Sequence, residues 1–90
     1  EYSIGKFKHK NWGKNRIISE IKKRKISNRN IEIGLDEIDE DIYIERFNEL
    51  FDKQLERHAS KNDMYTKKKI FDYFNYRGWE KDLIFKKINK

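Results

Sequence analysis

KKKIFDYFNYRGWEKDLI, residues 67–84, decides how this chain folds. Ile70 and Phe74 are spaced i, i+4, the interval at which side chains share one face of a helix. The run is then cut by Arg77-Gly78-Trp79 and resumes at once. Glycine adopts positive φ without a Cβ penalty, so Gly78 suits the residue just past a helix end, where a left-handed cap satisfies loose carbonyls. Trp79 follows as a large apolar anchor. Glu80 and Asp82 then put negative charge in the opening turn of a new helix, where the macrodipole favours it. The stretch predicts two helices joined by a tight bend.

Sliding this segment back by 53 positions lays RGWEKDLI (residues 77–84) over RKISNRNI (residues 24–31). Apolar then falls on apolar: Ile70 on Ile17, Phe74 on Ile21, Trp79 on Ile26, Ile84 on Ile31, Ile88 on Leu35, with Tyr65 on Trp12 and Arg77 on Arg24. The spacing is helical on both sides of the bend, which reads as an internal repeat. The first copy is expected to hold a helix over residues 15–24, a turn at Lys25 and Ile26, and a second helix from Ser27, a good N-cap, to about Glu37. In the second copy, Thr66 is the expected N-cap of a helix ending at Arg77, and a further helix spans residues 80–89.

DEDIYIERFNELFDKQLERHAS, residues 39–60, lies between the copies. Ile44, Phe47, Phe51, Leu55 and His58 follow one helix face, widened by Tyr43 and Leu50. One helix of ~33 Å is expected here. Asp39, Glu40 and Asp41 complement its dipole and are not read as metal ligands. Tyr2, Ile4 and Phe7 read as the end of a preceding helix, with residues 8–14 as linker. The expected fold class is all-α: tandem three-helix repeats, helix-turn-helix-like, in an elongated arrangement. Residues 1–11 would end a preceding repeat or form a linker, 12–60 would form the first complete repeat, and 61–90 a second repeat lacking most of its third helix.

Ninety residues bound the chain to one small domain or a piece of a larger protein, with a thin core. Charged residues make up 42% and apolar ones 36%, yet 2 Trp, 5 Tyr and 6 Phe supply enough core area for folded structure. There is no cysteine, hence no disulfide frame and no thiolate metal site. Without a secretory signal or an apolar run of spanning length, a cytoplasmic protein away from membranes is expected. Residue 1 is Glu, so the chain is expected to be a fragment. Residues 1–30 carry 10 basic and 2 acidic groups, residues 31–60 carry 3 and 10, and residues 61–90 carry 9 and 4. Two basic thirds around an acidic one predict a face that attracts polyanions.

WGKNRIISEIKKRKI (residues 12–26), a second helix, an acid-rich long helix and KKKIFDYFNYRGWEKDLI together resemble the RecX family of recombinase regulators. The resemblance covers the chain from Trp12 onward and corresponds to the second and third of that family's tandem three-helix repeats. Lys25 departs from it, standing where the family pattern has Gly, so the first joint is expected to use a different turn. The resemblance implies a modulator that binds the RecA filament on single-stranded DNA and suppresses strand exchange and ATP hydrolysis; separately, no cofactor is expected, a monomer is, and single-stranded DNA is a candidate for direct contact.

The residues expected to bind a partner or nucleic acid are Lys14, Arg16, Lys22, Lys23 and Arg24 in the first copy and Lys67, Lys68, Lys69 and Arg77 in the second. Such cations hold phosphates or an acidic protein surface, with Arg giving bidentate contacts. The bland alternative is that they are solvated charges at helix ends, most credibly Arg24 and Arg77. Phe74 and Trp79 read as core; Tyr73 and Tyr76 read as more exposed and available to a partner. His9 and His58 stand outside any nucleophile or carboxylate arrangement, and Gly5, Gly13, Gly34 and Gly78 are isolated, so neither a catalytic unit nor a phosphate loop is expected. A stand-alone groove-reading DNA binder is the competing reading. Its recognition helix would lie at residues 28–37, burdened by Glu32, Asp36 and Glu37, or at 80–89.

Overall fold

Six helices make up the computed structural model, which describes residues 2–58 and 63–89: α1 (Tyr2–Lys10), α2 (Lys14–Lys23), α3 (Asn28–Asp36), α4 (Glu40–Arg57), α5 (Asp63–Tyr76) and α6 (Lys81–Ile88). The fold is all-α, and no strand occurs among the described residues.

The helix ends follow local chemistry. Ser27 caps α3, its hydroxyl accepting from the Asn30 amide at 3.3 Å, and Asp39 caps α4 by accepting from the Ile42 amide at 3.1 Å. Glu40 and Asp41 sit in the first turn of α4, as the dipole favours. α5 begins a turn earlier than expected. Thr66 is not its cap but lies inside the helix, where its hydroxyl donates to the carbonyl of His58 at the end of α4, while Asp63 supplies the first-turn negative charge. The linker after α1 is also shorter than expected, because the helix runs through Lys10 and leaves residues 11–13 to turn the chain.

Each of the two bends places one residue in the left-handed region. Gly78 takes φ +85° and Lys25 takes φ +59°, and their amides donate to Asn75 and Lys22 carbonyls at 3.1 and 3.0 Å, a correspondence at the same 53-residue spacing. A left-handed lysine, costing ~1–2 kcal/mol, stands where the second bend has its glycine. The second bend adds a bond from the Trp79 amide to the Phe74 carbonyl at 3.0 Å, and the first closes instead with the Arg24 amide on the Ile21 carbonyl at 2.9 Å, so the turns differ beyond that residue. α2 and α5 end at Lys23 and Tyr76, and α3 and α6 begin at Asn28 and Lys81, again 53 apart.

One hydrophobic cluster runs through the molecule. Ile17, Ile21 and Ile31 are buried in the first half, as Ile70, Phe74 and Ile84 are in the second. Ile26 breaks the correspondence: it is 39% exposed while Trp79 is 1% exposed. The reason is what lies over the second bend. Trp79 stacks on Tyr43 with ring centroids 4.6 Å apart, meets Phe7, Phe47 and Phe74, and donates its indole N–H to the Asn11 carbonyl at 3.1 Å. In packing, α1 lies against α2 and α3, α4 against α5, and α5 against α6. The body measures 44 × 24 × 21 Å. Its radius of gyration of 14.1 Å exceeds the ~12 Å expected of a rounded chain of this length.

Candidate partner-binding surface

The two halves meet where α2 starts and α5 ends. The Gly13 and Asn15 amides donate to the carbonyls of Arg77 and Gly78, each at 2.9 Å, so the unsatisfied donors of one helix meet the unsatisfied acceptors of another. The Lys14 amide donates to the Tyr43 hydroxyl at 2.9 Å, and that hydroxyl donates in turn to Glu80 Oε1 at 2.5 Å. Burial and the Glu80 carboxylate push the Tyr43 phenol well above its ordinary range. The Gly13, Lys14 and Asn15 amides at the start of α2 are thus taken from within and are not offered to an external anion.

This seam decides the role of three expected binding residues. Lys14 reaches Glu40 at 3.1 Å and lies over the Tyr43 ring. Arg16 is held between Trp12 and Tyr76, 4.7 and 4.9 Å from the ring centroids, and donates to the Tyr76 carbonyl at 3.2 Å. Arg77 lies 4.0 Å over Tyr73. Cations over aromatic faces are attracted by the ring quadrupole, so these three contribute to the joint itself.

The others sit further from it. Lys22, Lys23 and Arg24 are exposed at the far end of α2, next to exposed Lys25 and Arg29; Lys23 pairs with Glu20 at 3.2 Å. On α5, Lys67 pairs with Asp63 and Lys68 with Asp72, each at 3.3 Å, and Lys69 lies over Tyr65. Exposed pairs of this kind are worth ~0.2–1 kcal/mol and give way readily to a stronger anion. Hence the nine residues fall into three stations: the far end of α5, the α5–α2 junction, and the far end of α2. Tyr76 is 71% exposed at the junction, beside a groove of Asn15, Ser19, Glu20 and Asn75, whereas Tyr73 is half-buried beneath Arg77.

Two surface cations were not singled out by the sequence. Lys86 and Lys87 line an apolar groove between α4 and α6 with Ile44, Phe47, Asn48 and Leu83. The signal was present, since Lys86 and Lys87 follow Leu83 by three and four positions. Among the described residues no three carboxylate, histidine or cysteine side chains gather to hold a metal ion, and no helix is long and apolar enough to cross a membrane. Comparison of the chain with protein-family profiles, with curated proteins and with solved structures finds no match.

Proposed function

We propose that the chain is a regulatory module that docks on a RecA-type recombinase filament assembled on single-stranded DNA and lowers its recombinase and ATPase activities. The reading rests on the RecX-like pattern of residues 12–84 and treats the molecule as two tandem trihelical units. One observation carries it above all: positive φ at Lys25 and at Gly78, 53 residues apart, each between helices that end and restart at corresponding positions. An elongated body suits a partner that is itself a long helical polymer, because several weak contacts can be made in series. Lys22, Lys23 and Arg24, exposed at the far end of α2, are the cations best placed to meet it.

A groove-reading DNA binder is less well supported. Glu32, Asp36 and Glu37 are all exposed along and just beyond α3, which would set carboxylates against phosphates.

The test is co-sedimentation with a recombinase filament, with DNA-dependent ATP hydrolysis measured in parallel. Binding and inhibition are expected, and reversing Lys22, Lys23 and Arg24 to Glu should weaken both by tenfold or more, roughly what loss of several charge contacts implies. Absence of filament binding, or tight sequence-dependent duplex binding by the chain alone, overturns the proposal.

A further inference from the structure

The apolar face of α4 is only half used. Its stripe Ile44, Phe47, Phe51 and Leu55 turns Phe47 and Phe51 into the core, but Leu55 is 44% exposed and Ile44 half-buried. α1 closes against both helices that follow it, whereas α4 packs on α5 and leaves a groove towards α6. Ile44, Phe47, Asn48, Leu83, Lys86 and Lys87 line this groove, which encloses about 610 Å³. Lys87 also borders the adjoining cavity of about 240 Å³ that reaches Phe51 and Leu55, where the Asp63 carboxylate is already paired with Lys67 at 3.3 Å. From Ile44 to Leu55 the strip therefore runs ~16 Å, the length of three helical turns.

The polar groups of the first groove define its occupant. They are the Asn48 amide and two ammonium groups, with no carboxylate. Among the described residues neither lysine has an ion pair, and Lys87 rests its ammonium 5.8 Å from the Phe51 ring. A trough of aliphatic and aromatic carbon edged by two unpaired cations is complementary to one kind of ligand. It needs three turns of helix with aliphatic residues on one face and carboxylates flanking them.

We propose that the α4–α6 groove is a docking site for an acidic amphipathic helix of a partner protein, seated by aliphatic side chains on Ile44 and Leu83 above the buried Phe47 and held in register by carboxylates on Lys86 and Lys87. This surface lies on different residues from the Lys22–Arg24 end of α2 and stands whether or not a recombinase is the partner.

The experiment uses the full chain and three labelled synthetic 14-residue peptides. One has Leu at helical i, i+3, i+7 and i+10 positions with Glu at the flanks; the second replaces each Glu by Lys; the third scrambles the first. Fluorescence anisotropy should show binding of the acidic peptide alone, weakened about tenfold or more by the double change Lys86→Glu and Lys87→Glu, and loss of preference for Glu over Lys in that variant. Leu83→Asp should abolish binding, with circular dichroism verifying that the helices remain. Equal binding of the scrambled peptide, or indifference to the double charge reversal, overturns the proposal. So does concentration-dependent self-association removed by Leu83→Asp, which would assign the groove to a second copy of the chain.

Discussion

A Cβ on Gly13 would lie 2.5 Å from the carbonyl oxygen of Gly78, residues 65 positions apart. Gly13 itself has φ −77° and ψ 171°, a conformation open to any residue, so its requirement is purely one of space. At Gly78 both demands meet: φ is +85°, and a Cβ would fall 2.2 Å from the Arg16 backbone nitrogen. Gly13→Ala is expected to destabilise by ~1–3 kcal/mol, the usual cost of forcing atoms into a filled space, and Gly78→Ala by ~1–2 kcal/mol more for its left-handed backbone. Urea unfolding measures both. The double variant should lose less than the sum, because either change alone already separates the two backbones.

Lys25→Gly is expected to act in the opposite direction. Its backbone lies in the same left-handed region as Gly78, and the side chain is exposed. Relief of the Cβ penalty exceeds the extra entropy that glycine gives the unfolded chain, for a net gain of ~0.5–1 kcal/mol. A lowered urea midpoint for Lys25→Gly would contradict this.

Trp79 and Ile26 occupy corresponding places after the two bends but should respond very differently to truncation. Trp79→Ala removes the ring that meets Phe7, Tyr43, Phe47 and Phe74 and is expected to cost ~3–5 kcal/mol. Ile26→Ala removes a side chain already 39% exposed and should cost under ~1 kcal/mol. Thermal melts of the two variants compare them directly.

Tyr43 sets the response to alkali. Its phenol, raised above the ordinary 10.0, stays protonated in the folded chain after a free tyrosine would ionise. Above about pH 10 the folded state then binds the extra proton, so stability present below that pH declines as pH rises. Tyr43→Phe should flatten this decline. It should also destabilise at pH 7 by ~1–3 kcal/mol, because the Lys14 amide and the Glu80 carboxylate lose their shared hydroxyl. Unfolding curves taken from pH 7 to 11 provide the check.

Helices and bends were legible in the sequence because their determinants are local. Ile17, Ile21, Ile31, Ile70, Phe74 and Ile84 are spaced as a buried helical face must be, and Ser27, Asp39 and Gly78 end or begin helices by contacts within four residues. The seam was not legible, since Gly13 meets Gly78, and Arg16 meets Tyr76, across some 60 positions with no periodic pattern to announce them. That seam is why Lys14, Arg16 and Arg77 read as free cations in one dimension but support the joint in three. Ile26 misled for the same reason: its spacing equals that of Trp79, but Phe7, Asn11 and Tyr43 close over the tryptophan from distant parts of the chain. The lysines of the α4–α6 groove were passed over because attention to charge runs favours Lys67–Lys69 over an isolated pair.

The hydrogen bonds that join α2 to the second bend also bear on biosynthesis. A nascent polypeptide leaving the ribosome exposes Gly13 long before Arg77 and Gly78 have been polymerised. The opening amides of α2 must therefore remain hydrated until Arg77 and Gly78 have been added and have left the ribosome, so α2 matures together with the second bend rather than ahead of it.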